Sequence, residues 1–205
     1  MVYCAGKRYR TLGLPSEQRF LGHGIAFCAT CDAPLYRDKR VAVVGGGNSA
    51  FTAARDLLPF ARRIHIINIL DRFQADPVLL EKVRNSGHVS LYPATEVKEF
   101  LGKEHLTGIR LQSTDGKQRQ DLQVEGVFLE IGLVPNAAPL TNLLDLNAHG
   151  EVPVQRDQST AVPGLFAAGD VTDEPVKQMI VAAGAGAKAA LAAYEYLASA
   201  EHVSM

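Results

Sequence analysis

The clearest alternation of apolar and polar positions lies between residues 40 and 69. Residues 40–44 form a short β-branched run that is typical of a buried parallel strand. Apolar positions then recur at helical spacing over residues 51–59, and residues 64–69 form a second apolar run. This order predicts a βαβ unit, for which a right-handed crossover is expected.

A series of short strands is predicted downstream of this unit. A helix over residues 78–85 comes first, opened by Pro77 and closed by Gly87. The pair Asp115-Gly116 between two apolar runs predicts a hairpin. We expect an antiparallel flap inserted after the βαβ unit, built from strands at residues 89–92, 96–101, 108–113, 121–125 and 127–131.

The two ends of the chain have a different pattern. Residues 2–6 resemble the end of a buried strand closed by a glycine turn. Strands are predicted at residues 151–155 and 164–168, followed by a long Ala/Gly-rich helix from near Pro175 to about residue 198, which we expect to pack in the core. Shifts of composition near residues 33–40 and 137–150 mark the expected domain boundaries.

Charge and composition exclude several classes of protein. The 205 residues carry 21 Lys+Arg against 22 Asp+Glu, a net charge of −1, which excludes a strongly basic nucleic-acid binder. A hydrophobic content of 47% excludes a disordered chain. No apolar stretch is long and uncharged enough to predict a membrane span, and no export signal is evident, so the expected location is the cytoplasm.

The first candidate site is the glycine-rich turn that leaves the strand at residues 40–44. In Gly45-x-Gly47-x-x-Ala50 the first glycine permits a tight turn, the second lets a pyrophosphate approach the backbone, and the small Ala50 allows close helix–strand packing. The helix N–H groups would then face the anion. A glycine turn used only for packing is the alternative. The predicted nucleotide-binding residues of this turn are Gly45, Gly46, Gly47, Asn48, Ser49 and Ala50.

The end of the second strand indicates which nucleotide is bound. An acid there would bind the ribose 2′-OH, whereas arginines would accept a 2′-phosphate. Asn68 occupies this position, followed by Ile69 and Leu70. Asparagine can hydrogen-bond a 2′-OH but offers no charge to a phosphate, and Arg72 lies past the expected turn. NADH is therefore favoured over NADPH.

The second candidate site is the Cys-x-x-Cys formed by Cys28 and Cys31. A zinc site would need four ligands, and beyond Cys4 the chain offers six scattered histidines without paired spacing. A structural disulfide closing so short a loop would restrict the unfolded chain little. Redox exchange is the favoured interpretation, and no metal site is expected.

Three further side chains, at separate positions of the chain, could carry chemistry or serve only the structure. Asp32 follows the second cysteine, where it would cap a turn or move a proton for a departing thiolate. Cys4 is expected to be an inert buried thiol. His65 is expected to be a packing or surface residue rather than a base.

Four motifs lie in register along the chain, at residues 28–32, 43–50, 131–136 and 163–171. Together they resemble the low-molecular-weight thioredoxin reductase family. The resemblance extends from about Val2 to the end of the chain. The tail, at residues 177–180 and 186–190, is more similar to a sister branch, the flavoprotein subunit of alkyl hydroperoxide reductase.

The resemblance implies an α/β protein with a Rossmann-like nucleotide-binding domain. This domain carries an antiparallel β flap and is inserted into an FAD/NAD(P)-binding domain of the three-layer ββα type, which is incomplete here. Residues 34–140 would be the NAD(P) domain, and residues 1–33 and 141–205 would be pieces of the FAD domain. Electrons would pass from NADH or NADPH to FAD, then to the Cys28–Cys31 disulfide, and then to a protein disulfide.

Roles for individual residues follow from the same resemblance. Cys31 should face the flavin, Cys28 should attack the partner, and Asp32 should act as acid and base. The partner would be a thioredoxin-like protein or a protein of a peroxiredoxin system, and the enzyme would be a homodimer whose domains rotate. Further cofactor-binding residues would be Ala5, Gly6, Ile131, Gly132, Gly169, Asp170, Lys177, Gln178 and Met179.

Two departures from the family pattern matter. NADPH-using members carry a His-Arg-Arg stretch and a later Arg, where this chain has Asn68-Ile69-Leu70 and Gln74. The FAD fingerprint near the N-terminus is missing, and about 110 residues of a usual member have no counterpart. Two alternatives therefore stay open: a nucleotide-binding module without turnover of its own, and a reductase supplied by another electron carrier such as ferredoxin.

Overall fold

A computed structural model of the chain describes the backbone of residues 1–201 and the side chains of residues 1–199. The described chain divides into two compact units. Along the sequence, Tyr9–Gly132 lies between the two segments of the other unit, and we therefore call it the inner unit. Met1–Arg8 together with the described residues from Leu133 onwards form the outer unit, and both names refer only to order along the chain.

The secondary structure alternates short strands and helices. The strands are β1 (Val2–Tyr3), β2 (Lys7–Tyr9), β3 (Ile25–Ala26), β4 (Arg40–Val44), β5 (Arg63–Ile67), β6 (Val89–Tyr92), β7 (Thr95–Gly102), β8 (Leu106–Ser113), β9 (Arg119–Leu122), β10 (Gly126–Leu129), β11 (Leu133–Pro135) and β12 (Phe166–Ala167). The α-helices are α1 (Glu17–Phe20), α2 (Ala29–Asp32), α3 (Asn48–Leu57), α4 (Pro77–Arg84) and α5 (Met179–Glu201). Short 3₁₀ turns lie at Ala33–Tyr36, Ala138–Leu140 and Gly169–Val171.

A five-stranded parallel sheet forms the centre of the inner unit. Its strand order is β3-β10-β4-β5-β6, and β4 pairs with β5 in register from Arg40 opposite Arg63 to Val44 opposite Ile67. One face is covered by a cluster that includes the fully buried Phe51 and Leu57 of α3. The other face is covered by the flap. Apolar side chains are therefore buried on both faces, as the β-branched runs indicate, and the predicted βαβ unit is confirmed.

The flap is smaller than predicted. Only β7, β8 and β9 form the antiparallel sheet, and the turn at Asp115-Gly116 joins β8 to β9. The runs predicted at residues 89–92 and 127–131 contain β6 and β10, which belong to the parallel sheet instead. The prediction was wrong for these two strands because a short apolar run has the same periodicity in either kind of sheet.

The compact units do not follow the predicted boundaries at residues 33 and 140. Residues 9–33 pack within the inner unit because β3 pairs with β10 at the edge of the parallel sheet. The chain leaves this unit after Gly132, before the predicted boundary. The Cys-x-x-Cys segment therefore lies in the same unit as the glycine-rich turn.

The outer unit departs from the expectations most. Val2 and Cys4 are exposed, so neither the buried strand nor the buried thiol is found. Residues 151–155 form an isolated bridge between Val152 and Thr172 rather than a strand. Helix α5 was expected to pack in the core, yet only its Ala185 and Ala189 are buried among the described side chains. Periodicity could not predict this exposure, because burial depends on what covers the helix.

The described part of the chain contains no helix that combines the length and the apolar character needed to cross a membrane.

Candidate functional site

The glycine-rich turn joins β4 to α3 in the inner unit. Gly45 has φ +144°, a conformation that favours glycine, and a Cβ there would overlap the Glu130 carbonyl. A Cβ at Gly46 would overlap the carboxamide of Asn68. Ala50 is fully buried under the sheet. Three of the predicted positions are thus explained by close packing within the protein.

Gly47 differs from its two neighbours. Its φ of −97° and ψ of −171° are open to any residue, and a Cβ there would meet nothing within 4 Å. Packing inside the protein therefore gives no reason for glycine. The open space lies at the N-terminus of α3, whose N-cap Gly47 provides no side-chain hydrogen bond. Free N–H groups beside open space fit the diphosphate of a dinucleotide.

The side chains of the two polar residues in the first turn of α3 form hydrogen bonds within the protein. The Asn48 Oδ1 accepts a hydrogen bond from the Asp76 amide at 2.7 Å, which ties α3 to the start of α4. The Ser49 hydroxyl donates to the Glu130 carbonyl at 3.4 Å. Both side chains are exposed. They fix the turn to the carboxyl edge of the sheet while their backbone N–H groups stay at the helix terminus.

A cavity of about 380 Å³ lies at the carboxyl ends of β4 and β5. Gly45 and Asn68 line it together with the apolar Leu12, Leu14 and Ile131. This is the position where open parallel sheets bind ligands. Most of its lining is apolar, and its charged side chains, Glu96 and Lys98, are paired with each other at 2.7 Å. A mostly apolar cavity next to the glycine turn suits a molecule with both a flat base and a phosphate.

Asn68 is held in a different way from the one expected. Its side chain is 5% exposed, lies against Gly46, and donates from Nδ2 to the Arg72 carbonyl at 2.7 Å. The carboxamide therefore fixes the loop that follows β5. The neighbouring Ile69 and Leu70 are 59% and 51% exposed and carry no charge.

Ile131 and Gly132 end the inner unit. Ile131 lines the cavity, whereas Gly132 has φ +96° and its carbonyl accepts a hydrogen bond from the Arg10 amide at 3.0 Å. The structure thus brings Gly45–Ala50, Asn68 and Ile131 together at one edge of the sheet, and Gly132 at the chain exit.

Cys28 and Cys31 form a disulfide with their Cα atoms 5.3 Å apart. Cys28 is the N-cap of α2, and its Sγ accepts a hydrogen bond from the Cys31 amide at 3.2 Å. Ala29 between them is buried, while Cys31 is exposed and Cys28 is half-buried. The disulfide is therefore carried on a short anchored turn that leaves one sulfur accessible to another molecule.

A hydrogen bond joins the turn that carries the disulfide to α3. The Thr30 hydroxyl donates to the Asp56 Oδ2 at 3.0 Å, and Asp56 is also paired with Arg55 at 2.9 Å. This contact connects the disulfide turn with the helix whose N-terminus faces the glycine turn. Thr30 lies within the motif at residues 28–32, but no pattern in the sequence indicated its contact with Asp56.

Asp32 ends α2 and is half-buried. Its side chain makes no capping hydrogen bond with the 3₁₀ turn that follows, so the capping role is not found. Burial of Tyr36, and secondly the charge of Asp32, raise the pKa of that phenol. Asp32 thus follows Cys31 directly in the sequence and has no capping function.

Glu130 is a further carboxyl that sequence reasoning missed. It follows β10 and is half-buried beside Ser49. Burial raises its pKa to about 7, although a hydrogen bond with Ser49 lowers it, and the charge of Asp56 adds to the rise. The only signal in the sequence was its place directly before the Ile131-Gly132 motif.

The predicted residues of the outer unit lie in three places, of which the start of α5 is the third. Ala5 and Gly6 are held by Asn136, whose Nδ2 donates to the Ala5 carbonyl at 2.9 Å and whose amide donates to the Gly6 carbonyl at 3.0 Å. Gly169, with φ +77°, and Asp170 form a 3₁₀ turn against which α5 packs through Ala182.

The start of α5 presents different groups. Gln178 and Met179 are exposed, and the first N–H groups of the helix have no partner within it. Lys177 is turned inward, where its Nζ donates to the Thr172 carbonyl at 2.7 Å and lies 3.2 Å from Glu151. Lys177 therefore stabilises the outer unit itself.

Glu151 is the centre of a buried polar network. Its carboxylate accepts from Lys7 at 2.5 Å and from Asn147 at 2.8 Å, in addition to Lys177. Burial alone would raise its pKa, but these hydrogen bonds outweigh that effect and lower it to about 2. The network joins three separate segments of the outer unit.

Among the described residues, no three His, Cys, Asp or Glu side chains lie close enough together to hold a metal ion.

A parallel sheet with a dinucleotide-type glycine turn and a disulfide on the same unit defines a class: the nucleotide-linked disulfide oxidoreductases. A family model described as pyridine nucleotide-disulphide oxidoreductase matches residues 1–186. The chain belongs to this family.

Individual relatives agree with this assignment. The F subunit of alkyl hydroperoxide reductase of Staphylococcus epidermidis is 41% identical over 197 residues, which are 96% of this chain and 39% of that protein. The thioredoxin reductase of Streptococcus pyogenes has a TM-score of 0.89 at 30% identity, over 97% of this chain and 65% of that one. The thioredoxin reductase of Giardia duodenalis has a TM-score of 0.86 at 28% identity, over 96% and 65%. The chain therefore spans only part of the length of these proteins.

Proposed function

We propose that this chain supplies the nicotinamide-nucleotide unit and the redox disulfide of a flavin-dependent protein-disulfide reductase. The observation that carries the proposal is the pairing of two features on the inner unit. One is the open space at Gly47 beside the uncapped N-terminus of α3, and the other is the Cys28–Cys31 disulfide fastened to the same helix through Thr30. In this proposal the inner unit is the NAD(P) domain and the outer unit belongs to the FAD domain.

The nucleotide is bound at the carboxyl edge of the parallel sheet. The N–H groups at Asn48 and Ser49 would hold the diphosphate, and the apolar cavity beside Gly45 would take a base. NADH is favoured because Ile69 and Leu70, exposed at the end of β5, offer no cation to a 2′-phosphate. The preference is supported by these uncharged side chains rather than by an acid on the ribose.

The disulfide is the electron acceptor of the protein. Reduction of Cys28–Cys31 takes two electrons and two protons, so oxidation of one NADH supplies the hydride and solvent supplies the second proton. FAD, when bound, would relay the two electrons between nucleotide and disulfide. Cys31 would receive them, Cys28 would attack the disulfide of the partner, and Asp32 would hold and return the proton.

The outer unit fits the flavin only in part. Asp170 is available for hydrogen bonds to the ribityl chain, and the N–H groups at the start of α5, near Gln178 and Met179, favour a negative charge on the ring. Ala5 and Gly6 would line the same side. These residues include no glycine turn at a helix N-terminus, so they would hold the flavin end and not the diphosphate.

The proposed partner is a thioredoxin-like protein or a protein of a peroxiredoxin system. Thioredoxin reductases and the F subunit of alkyl hydroperoxide reductase are the proteins that this chain resembles. The similarity of its C-terminal segment to the latter group favours the peroxiredoxin system. A homodimer is proposed on the same resemblance.

The experiment adds FAD and then NADH or NADPH to the purified chain without oxygen. The reduced cysteines are counted by alkylation and mass spectrometry, and reduction of a thioredoxin is followed in parallel. We expect nucleotide-dependent reduction of Cys28–Cys31 that is lost with Cys28→Ser. Cys4→Ser is the matched control, since Cys4 is exposed and outside the disulfide.

Three outcomes contradict parts of the proposal. A chain that binds NADH but never reduces its own disulfide with FAD is a nucleotide-binding module. Reduction by a reduced ferredoxin and by neither nucleotide removes the nicotinamide step. Full thioredoxin reduction by the Cys28→Ser variant removes the disulfide from the pathway.

A further inference from the structure

Glu130 lies at the carboxyl edge of the parallel sheet, beside the glycine turn. Its amide donates to the Val44 carbonyl at 2.8 Å, and its own carbonyl lies against Gly45 and accepts from Ser49. It therefore sits between the ends of β4 and β10. At this edge the chain leaves β4 through α3 towards β5, whereas it leaves β10, on the other side of β4, through Ile131 and Gly132. The crevice at the carboxyl ends of such neighbouring parallel strands is where α/β sheets bind nucleotides.

The carboxyl of Glu130 lies on the α3 side of the sheet. Ile131, the next residue, lines the cavity beside the flap, and successive residues of an extended chain point to opposite faces. The Glu130 carboxyl is accordingly near enough to Ser49 and Asp56, both on α3, for these two residues to influence its pKa. This places it beside the helix terminus that would hold the diphosphate.

The other charged groups of the packed elements are few. On α3, Asp56 faces Glu130 and is paired with Arg55. On α2, Asp32 acts on Tyr36, and the disulfide does not titrate while it is oxidised. Strands β3 and β4 end in uncharged residues. Glu130 is half-buried beside α3, and burial raises its pKa to about 7. Its carboxyl therefore changes charge near neutral pH.

A bound dinucleotide would bring two negative phosphate charges to the same helix terminus. A like charge nearby disfavours an ionised carboxylate, whereas a protonated carboxyl can donate a hydrogen bond to a phosphate or ribose oxygen. We propose that Glu130 is a nucleotide-contacting residue that takes up a proton when NADH binds, so that the affinity falls as the pH rises above neutrality. This inference rests on the proposed nucleotide site and adds a residue and a proton to it.

Calorimetry of the full chain with NADH tests it. Titrations at several values between about pH 6.5 and 8.5 should show Kd rising by up to about tenfold per pH unit. Parallel titrations in phosphate and in Tris, which differ in ionisation enthalpy, should show uptake of up to about one proton per bound nucleotide. Glu130→Gln should bind without proton uptake and with little dependence on pH.

The matched control is Glu125→Gln, at the opposite end of β10, where the carboxylate accepts a hydrogen bond from the Arg40 amide. This variant should keep the proton uptake of the wild type. Wild-type binding that takes up no proton, or proton uptake that persists in Glu130→Gln, overturns the role of Glu130 and leaves the nucleotide site intact. A wild-type chain that binds neither NADH nor NADPH overturns the site, and the role of Glu130 with it.

Discussion

Substituting each of two adjacent glycines by alanine should separate folding from nucleotide binding. At Gly46 the new Cβ would overlap the Asn68 carboxamide, whereas at Gly47 it would enter open space. Neither position needs a left-handed backbone conformation, since a positive φ in this turn is confined to Gly45. The two variants add the same methyl group one residue apart, so each serves as the control for the other.

The expected free energies follow from these contacts. Overpacking at Gly46 should cost about 1 to 3 kcal/mol, and losing the Asn68–Arg72 hydrogen bond about 1 more. A loss of about 2 to 4 kcal/mol corresponds to a fall in Tm of roughly 5 to 15 °C. Gly47→Ala should change stability by no more than about 1 kcal/mol in either direction, because alanine has less entropy to lose on folding but is a poorer N-cap than glycine.

The affinity for NADH should fall more in Gly47→Ala than in Gly46→Ala, which is the reverse of the order expected for stability. A methyl group at Gly47 would hold a diphosphate away from the N–H groups of α3, and one lost charge-assisted hydrogen bond is worth about 1.5 to 3 kcal/mol. NADH affinity should therefore fall by roughly ten- to 150-fold. Thermal melts followed by circular dichroism and NADH titrations measure the two effects. Wild-type affinity in Gly47→Ala would refute the assignment of the diphosphate site, and a wild-type Tm in Gly46→Ala would refute the packing argument.

Two further predictions concern stability and pH. His65 is 7% exposed; burial first, and then the charges of Arg63 and Arg40, lower its pKa from 6.5 to about 4. Between pH 6.5 and pH 4 the unfolded chain therefore binds a proton at His65 that the folded chain does not bind. The free energy of unfolding should fall by up to about 3 kcal/mol over this range. In urea titrations, His65→Leu should reduce this dependence of stability on pH. Glu151→Gln should cost roughly 3 kcal/mol at pH 7, because the Lys7 ammonium, with a side chain 10% exposed, loses its carboxylate. The contribution of Glu151 is present above pH 4.5 and should be lost as the pH falls towards about 2, so equal wild-type and variant stabilities at pH 7 would contradict the network.

Local signals in the sequence predicted the parts of the site that depend on local geometry. The glycine turn follows β4 and opens α3 because its residues are small and its glycines permit the turn. The disulfide could be predicted as a pair because three residues bring Cys28 and Cys31 within one turn. Both features need only neighbours along the chain, and both are found where the pattern placed them.

Features that depend on distant parts of the chain were not predictable in this way. Glu130 meets Ser49 only because β10 lies beside β4, eighty-odd positions apart along the chain and adjacent in the sheet. The exposure of α5 follows from what covers it and not from its own Ala/Gly-rich pattern. Both features depend on how distant elements pack together, and the periodicity of a single apolar segment does not predict this packing.

Asn68 shows how packing changes the interpretation of a motif position. A polar residue at the end of β5 suggested a hydrogen bond to the ribose, but the carboxamide is buried against Gly46 and donates to Arg72. A contact between Asn68 and the ribose stays a prediction, and in the proposed function the preference for NADH is expected to depend on the side chains left exposed at that strand end, Ile69 and Leu70. An uncharged surface accepts a ribose hydroxyl at little cost and gives a 2′-phosphate no cation to offset its lost hydration. In the proposed function, preference for NADH thus arises from the absence of a counter-charge on Ile69 and Leu70, while Asn68 keeps the loop in place.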